Sequence, residues 1–259
     1  MTIINNSDTK DTPNEVAIVN TDLTATVISL QVGLPQCLSS VGFSDQPGSH
    51  QDWTTGFFKK STAESIWLGV LNLAGDGQAD LINHGGLDKA VNVYPYEHYS
   101  YWKQTIGSIS LPMGGFGENF TTQGVLEQHV CIGDIFQLGE AIVQISQPRQ
   151  PCWKLARYWR IRDLALQVQE TGRTGWYFRV LKEGHVQAGK NLVLRERPHP
   201  GWSVSTANQV MHNLVTDRQA AQNLADCEAL SSRWREKLRQ RALTGAPENT
   251  ASRLNGPEK

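Results

Sequence analysis

Short runs of β-branched and aromatic residues, each bounded by glycine or proline, constrain the fold of this chain more than any other feature. These runs predict strands at residues 25–32, 65–71, 90–94, 130–138, 141–145, 176–181 and 191–195. The strands are not separated by regularly alternating helices, which a parallel sheet would require. The sequence therefore predicts a mainly β fold with helices (α+β), built around a barrel-like or sandwich-like core.

Turns and helices divide this strand pattern. Gly139 and Glu140 separate two predicted strands at the spacing of a tight hairpin, whereas residues 33–60 are interrupted by glycine and proline and predict a long loop. Apolar spacing predicts helices at 96–106 and 152–170. In the first of them, Tyr99 and Trp102 are interpreted as a core face in preference to a cofactor-stacking surface.

The character of the chain changes after Pro198 and Pro200, where three helical stretches follow. Ser203 is a candidate cap for the first, and Thr216 with Gln219 forms a capping-box pattern for the second. The third carries an apolar stripe of Leu230, Trp234 and Leu238. We therefore predict a disordered leader at 1–22, a main domain at 23–198, a three-helix module at 199–245 and a flexible tail at 246–259.

Charge and cysteine content exclude several classes of protein. Lys and Arg number 24 against 25 Asp and Glu, so the net charge of -1 supplies no general field that attracts nucleic acid or anionic membranes. The four cysteines are widely spaced, which argues against a disulfide scaffold or a structural zinc site. No signal peptide is evident, and no apolar run approaches the roughly 20 residues that span a bilayer. We expect a cytoplasmic protein without nucleic-acid or membrane partners.

The last predicted helix carries a concentration of basic residues that only Glu236 opposes. These residues are Arg233, Arg235, Lys237, Arg239 and Arg241. Their simplest interpretation is a solvated helix face, and docking of an acidic partner is the alternative.

One cysteine lies where a strand ends and a helix is predicted to begin. Cys152 is surrounded in sequence by Arg149, Lys154 and Arg157. A helix N-terminus and nearby cations favour the thiolate, which is the form that attacks electrophiles or binds soft metals. The alternative, which we prefer for the other three cysteines, is that the side chain is a small buried hydrophobe.

A glycine-rich segment at 83–90 brings an imidazole, a carboxylate and an ammonium group together. Its two glycines lie between His84 and the pair Asp88 and Lys89. Glycines allow close backbone approach and positive φ, so this composition suits an anion cradle. A turn with incidental polar residues is the other interpretation.

Two further glycine-rich segments carry weaker signals. Residues 114–120 hold Glu118 and Asn119, whose side chains would hydrogen-bond the donors and acceptors of a heterocycle. Residues 75–80 are interpreted as a plain turn in preference to a binding loop. None of the three segments is a Walker or Rossmann phosphate loop.

Taken in order, the segments of this chain resemble the MOSC family in its YiiM-like branch. The motifs are Gly75 to Asp80, His84 to Val91, Tyr94, Glu97 to Tyr99, Trp102, Phe116 to Asn119, Gly133-Asp134, Gln147 to Arg149, and Pro151-Cys152. The similarity covers about residues 24–195, and 202–243 resembles the three-helix module of that branch. The leader and the 33–60 loop look extended relative to compact members, which would alter substrate access or add a partner contact.

The resemblance implies a MOSC barrel-like core that binds the molybdenum cofactor (molybdopterin), with Cys152 as the protein ligand of the metal. It also carries a family-level association with pyridoxal phosphate, to which we assign no residue. Catalytic roles are expected for Cys152, His84 and Glu118. The residues expected to bind the cofactor are Gly85, Gly86, Asp88, Lys89, Asn119 and Arg149, with Arg173 and Arg179 added only for their charge.

Three functional hypotheses follow. The leading one is reduction of a small N-hydroxylated substrate, such as an N-hydroxylated purine base, with electrons from a separate reductase and protons relayed by Glu118 or His84. The second is a carrier of the cofactor or its sulfur without turnover. The third is a thiol hydrolase or transferase that pairs Cys152 with His84 as its base.

Overall fold

The computed structural model describes residues 23–38, 52–107 and 110–256. The predicted leader at 1–22 and the middle of the predicted 33–60 loop lie outside these ranges. The strands described are β1 (Thr24–Val32), β2 (Gln36–Leu38), β3 (Trp53–Thr55), β4 (Lys60–Thr62), β5 (Ile66–Leu68), β6 (Val91–Pro95), β7 (Phe120–Gln123), β8 (Ile135–Leu138), β9 (Ala141–Pro148), β10 (Trp176–Lys182), β11 (Gly184–Val186) and β12 (Asn191–Glu196).

Helices connect these strands and follow the last of them. They are α1 (Leu81–His84), α2 (Glu97–Thr105), α3 (Trp153–Trp159), α4 (Leu164–Thr171), α5 (Val204–His212), α6 (Arg218–Ala225), α7 (Ser232–Thr244) and α8 (Ala251–Asn255), with a single 3-10 turn at Leu87–Lys89. In this part of the chain, no helix combines the length and apolar character of a membrane span.

Seven strands close into a barrel in the order β12, β8, β9, β10, β6, β7 and β1. Pairing of the first residues of β1 with β12 completes the ring, while the last residues of β1 pair with β4. Neighbouring strands of the ring are antiparallel except β6 and β7, which are parallel. The predicted α+β fold with a barrel-like core is therefore confirmed.

The barrel and the three C-terminal helices bury their apolar residues in one continuous core. Strand residues such as Val27, Phe136 and Phe178 share it with Leu224 of α6 and Trp234 of α7. A second, smaller cluster lies beneath α2, α3 and α4 and contains Tyr99 and Trp102, which confirms their interpretation as a core face. Burial of this apolar surface is the main favourable term in folding.

The helix predicted at 152–170 is wrong in one respect, because the structure breaks it into α3 and α4. Arg160 adopts a left-handed conformation, with φ of 56°, and ends α3. A continuous helix would carry the apolar stripe of Leu155 onto the charged residues Arg162 and Asp163 two turns later. The break lets Leu164 and Val168 join the buried cluster instead.

Short strands account for the other differences. Strand β8 begins at Ile135, later than predicted, because Gly133 at φ 87° and the side chain of Asp134, which accepts a 2.8 Å hydrogen bond from the Cys131 N–H, form a turn. The predicted 33–60 loop contains β2 and β3, which pair with each other, and β4 begins at its end. Strands this short carry too few residues to show an alternation in sequence.

The C-terminal module contains the three predicted helices α5, α6 and α7. Ser203 caps α5, as predicted, by accepting a hydrogen bond from the Thr206 N–H. The cap of α6 is Asp217 rather than Thr216, since its carboxylate accepts from the Ala220 N–H at 2.9 Å. An aspartate is at least as good a cap as a threonine, so the neighbouring residue takes the position.

The segment predicted as a flexible tail instead carries the short helix α8. Arg253 of this helix donates hydrogen bonds to the carbonyl of Pro151 at 2.7 Å and to Gln169 Oε1 at 2.6 Å. Gly256 lies against the ring of Trp153. These contacts attach the C-terminal segment to the start of α3.

Candidate functional site

Cys152 lies at the junction between β9 and α3. Strand β9 ends at Pro148, and Cys152 is the residue that precedes the first turn of α3, in an extended conformation. Its side chain is buried, with 6% of the residue exposed. The prolines on either side of Arg149 and Gln150 restrict this connection to a small range of backbone conformations.

The surroundings of Cys152 favour its thiolate. Burial raises the pKa of this thiol, but the charge and hydrogen bond of His84, the backbone N–H of Lys154 and the charge of Arg149 outweigh burial and bring the pKa to about 7. Burial instead raises the pKa of Cys131 to about 11 and raises that of Cys227. Cys152 therefore forms its thiolate at lower pH than Cys131 or Cys227.

A short helix and a glycine turn bring two basic residues to this thiol. Asp80 caps α1 through the Asn83 N–H at 2.9 Å, and His84 is the last residue of that helix. Gly86 has φ of 93° and reverses the chain toward Lys89. Burial, together with the charges of Arg233 and Lys237, lowers the pKa of the Lys89 ammonium to about 8.

Two cavities meet at Cys152. The first extends from the thiol toward β3 and the 76–80 segment. The second is larger and extends toward α7 and α8. The residues that line both are Asp80, His84, Lys89, Cys152, Lys154 and Tyr177.

The far wall of the first cavity is a buried polar network centred on Asp76. Its carboxylate is ion-paired with Lys59 and accepts a 2.9 Å hydrogen bond from Asn119 Nδ2 and a 3.0 Å bond from the Gly33 N–H. Asn119 also accepts from the Asn92 N–H at 3.1 Å. This network fixes polar side chains at the cavity wall in one orientation.

Several buried polar atoms beside the cavities lack a hydrogen-bond partner among the described residues. They are Arg149 Nη1, Asn92 Oδ1, Gln147 Oε1 and Gln150 Nε2. The other terminal nitrogen of Arg149 donates to the carbonyl of Phe116 at 2.8 Å, so the guanidinium is held in place with one end unused. Buried polar groups are normally paired, so these atoms mark where a polar or anionic ligand would contact the protein.

Comparison with known proteins now identifies the family. The model described as MOSC domain matches residues 80–193, and the model described as YiiM-like, 3-alpha helix domain matches residues 202–244. The uncharacterized protein YflK of Bacillus subtilis is 46% identical over 209 residues, which are 81% of this chain and 90% of that protein. The chain belongs to the YiiM-like branch of the MOSC family.

A solved structure and a further relative agree with this assignment. The crystal structure of YiiM from Geobacillus stearothermophilus is 35% identical, with a TM-score of 0.70 over 84% of this chain and 99% of that one. A protein of Gibberella moniliformis named Reductase is 34% identical over 68% of this chain, which is 31% of that protein. MOSC domains are generally associated with molybdenum cofactor binding, so membership supports a function associated with that cofactor.

The structure brings together five of the residues predicted for the site of this MOSC chain. Cys152, His84, Lys89, Asn119 and Arg149 all line the first cavity. They come from three places in the sequence, namely the turn around Gly85 and Gly86, the residue before β7 and the connection between β9 and α3, and the barrel makes these places neighbours. Gly85 and Gly86 line neither cavity, and their contribution is the turn that carries His84 and Lys89.

Glu118 does not reach the cavities, which corrects its predicted role in proton relay. The residue is fully buried, and its carboxylate accepts hydrogen bonds from the N–H groups of Gly114 at 2.8 Å and Phe116 at 3.0 Å. The hydroxyl groups of Tyr99 and Thr121 donate to it as well. With four donors bound, the carboxylate stabilises the glycine-rich loop and has no contact with a cavity.

Three charged residues expected to bind the cofactor have structural contacts elsewhere. Asp88 accepts hydrogen bonds from Arg179 Nε at 3.0 Å and from the Ser232 N–H at 3.2 Å. Its carboxylate thus links Arg179 of β10 to the start of α7. Arg173 lies over the ring of Tyr101, 3.9 Å from its centroid, beside a separate cavity. These three residues are charged and close in sequence to predicted site residues, but their side chains line neither cavity.

Sequence reasoning missed other residues at the cavities, including Lys59, Asp76 and Tyr177. Asp76 lies in the 75–80 segment that we interpreted as a plain turn, although that segment was part of the family resemblance. Lys59 lies in the predicted long loop, which carried no motif. Tyr177 lies in a strand, and strand alternation does not indicate which face meets a ligand.

Proposed function

We propose that this chain is a molybdenum-cofactor-dependent reductase of N-hydroxylated substrates, with Cys152 as the protein ligand of the metal. The observation that supports this most directly is the buried thiol with a pKa of about 7 at the junction of two cavities. A thiolate is a soft ligand suited to molybdenum. The fungal relative named Reductase supports the same class of reaction.

The polar groups of the first cavity fit a cofactor that carries a heterocycle and a phosphate. At this cavity Arg149 offers an unpaired guanidinium nitrogen and Asn92 an unpaired amide oxygen, and Gln147 offers an unpaired amide oxygen at the second cavity. A pterin has both donors and acceptors at its edge, and cationic groups suit the anionic phosphate of the cofactor.

In the part of the chain that the structure describes, there is no group of three or more His, Cys, Asp or Glu side chains placed to hold a metal ion.

Each residue has a defined task in this proposal. Cys152 would hold the metal through Sγ, and His84, which lines both cavities beside this thiol, would hold a proton on its imidazole. Arg149 and Lys89 would bind anionic groups in the cavity. The network of Asp76, Lys59 and Asn119 would keep its wall rigid.

Reduction of an N-hydroxylated compound to its amine breaks the N–O bond, consumes two electrons and two protons, and releases water. When bound, the cofactor would supply the two electrons, which it receives from a separate reductase. The chain supplies the site and one residue that can move a proton, since His84 lies beside Cys152 and lines both cavities.

The experiment compares Cys152→Ala with the wild type. We expect the molybdenum content of the variant to fall to background and turnover of an N-hydroxylated purine to fall by at least about a hundredfold, because the metal loses its protein ligand. Elemental analysis and a reductase assay with an artificial electron donor measure the two effects. The matched control is Cys37→Ala, which replaces an exposed thiol that lines neither cavity. Equal molybdenum in the variant and the wild type would refute the proposal.

Two other hypotheses give different results in the same assays. The placement of His84 and Cys152 on the walls of the same cavities also suits a thiol nucleophile with an imidazole base. That hypothesis expects activity in protein made by a host that cannot synthesise the cofactor. A carrier would contain stoichiometric molybdenum and show no turnover.

A further inference from the structure

The second cavity is formed by the barrel on one side and the C-terminal helices on the other. Cys152 and Trp153 lie at its barrel side, Arg233, Trp234 and Lys237 of α7 face them, and the segment around α8 completes the wall. The three-helix module therefore contributes directly to a cavity that reaches the proposed metal ligand.

This cavity is strongly basic. Five basic side chains line it against only two carboxylates: Lys89, Lys154, Arg233, Lys237 and Arg253 against Asp80 and Glu248. Glu248 is ion-paired with Lys237, and Asp80 caps α1. Lys89 and Arg233 donate to the backbone carbonyls of Asn83 and Ile82. Neither forms an ion pair with a carboxylate within the described ranges.

Two cationic residues of α7 lie side by side at this cavity, of which Lys237 is ion-paired with Glu248 and Arg233 is exposed. Arg233 and Lys237 are four residues apart and lie on the same face of the helix, where like charges repel. Burial and the charges of these two residues lower the pKa of Lys89, and burial with Arg253, Arg241 and Lys237 lowers the pKa of His212 to about 3. Excess positive charge thus acts on groups at this end of the molecule, and an anion would relieve it.

Two further observations correct the interpretation of this helix as a solvated basic face. Arg241 is buried and donates to the carbonyl of Val210 at 2.7 Å, and Arg235 donates to the carbonyl of Ala225 at 3.1 Å. Among the five basic residues of α7, Arg239 is exposed and lines neither cavity. Arg233 and Lys237 are thus the two basic residues of this helix that face the cavity.

We propose that the second cavity binds the phosphate group of the substrate, and that the substrate is an N-hydroxylated nucleoside monophosphate rather than a free base. This rests on the proposed function, since it assumes that the reacting N–O group lies near Cys152. The same cavity reaches both Cys152 and the cations of α7, so one molecule can place its base at the thiol side and its phosphate at the helix. Arg233 is the expected phosphate contact.

The test measures binding without turnover, using calorimetry on the full-length protein. Adenosine 5′-monophosphate should bind at least about tenfold more tightly than adenosine, because hydrogen bonds to charged groups add to its affinity. Arg233→Gln should reduce that preference about tenfold and leave adenosine binding unchanged. Arg233→Lys should retain part of it, and the control Arg239→Gln should retain all of it. The preference should also decline as salt is added.

Two results would overturn the inference. Equal affinity for adenosine and its monophosphate in the wild type would show that the cavity does not select a phosphate. A loss of pterin and molybdenum in Arg233→Gln would show that these cations hold the phosphate of the cofactor instead. Neither result depends on reductase activity, so a failure here is distinguishable from a failure of Cys152→Ala to lose molybdenum.

Discussion

At the scale of single residues, the buried cysteines of this chain differ because their neighbours differ. The pKa of Cys152 is lowered by the nearby imidazole of His84, the backbone N–H of Lys154 and the charge of Arg149, whereas the carboxylate of Asp134 raises the pKa of Cys131. Burial disfavours the charged form in both cases, and only the first has enough positive partners to reverse it. The chemistry of the thiol is thus a property of its surroundings.

The pH dependence of thiol alkylation tests this directly. In protein without cofactor, the rate at which iodoacetamide modifies Cys152 should rise with pH and reach half its maximum near pH 7, because the reactive thiolate forms there. His84→Ala should move the midpoint to higher pH, since it removes the imidazole that lowers the pKa of the Cys152 thiol. Mass spectrometry of the modified peptide gives the rates.

The control variant is His185→Ala, which removes an exposed imidazole that lines neither cavity and should leave the midpoint unchanged. Cys131, with a pKa of about 11, should remain unmodified over the same pH range. A midpoint for Cys152 that does not move in His84→Ala would exclude His84 as the stabilising partner.

At the scale of elements, the successive helices α3 and α4 each end at a residue in the left-handed conformation, but only one of these residues is of a type that adopts it without strain. Arg160 ends α3 at φ 56°, and Gly172 ends α4 at φ 67°. A residue with Cβ pays a steric cost in this conformation, whereas glycine does not. The side chain of Arg160 is exposed and makes no hydrogen bond within the described part of the chain, so nothing offsets that cost.

Substitutions at these two positions should therefore act in opposite directions. Arg160→Gly should increase the free energy of unfolding by about 0.5–1 kcal/mol, and Gly172→Ala should decrease it by about 1 kcal/mol. Each variant serves as the control for the other, because a Cβ at Gly172 would meet no atom within 4 Å and only the backbone is affected. Urea unfolding measures both values. A decrease for Arg160→Gly would contradict the argument from backbone strain.

At the scale of the whole molecule, the three-helix module is part of the barrel's core. Leu224, Trp234 and Leu238 are buried in the same cluster as the barrel strands. Backbone hydrogen bonds cross the junction as well, from the Ser231 N–H to the carbonyl of Ser146 at 2.8 Å and from the Ile132 N–H to that of Trp202 at 2.8 Å. The proline-marked change in sequence character therefore does not separate two independent cores.

Truncation tests this unity. A chain ending at residue 198 should lose cooperative unfolding and aggregate, because removal of α5, α6 and α7 exposes the apolar face of the barrel that they cover. Size-exclusion chromatography and thermal denaturation measure the effect. The control ends at residue 245 and removes only α8 of the described helices, which has no buried residue, so it should remain folded. A monomeric 1–198 fragment with cooperative unfolding would contradict the shared core.

The sequence by itself determined the fold class, most of the long strands, the three C-terminal helices, the family resemblance and the position of Cys152 at a strand end. These features depend on local periodicity, capping residues and motif order, which are properties of neighbouring positions. The positions of the polar side chains at the site could not be predicted from these local properties. Glu118 and Asn119 are adjacent in sequence, but one carboxylate is enclosed by four donors and the other side chain lines a cavity.

Only the tertiary structure decided which polar residues meet. Lys59, Asp76, Lys89 and Cys152 lie at separate places in the sequence, and closure of the barrel brings them to the first cavity. Docking of α7 adds Arg233 and Lys237 to the second cavity. The direction of a side chain at a turn depends on long-range packing, and the pKa of a thiol depends on charges that arrive from other elements. Local sequence carries neither quantity, because both arise from contacts that form only when the chain has folded.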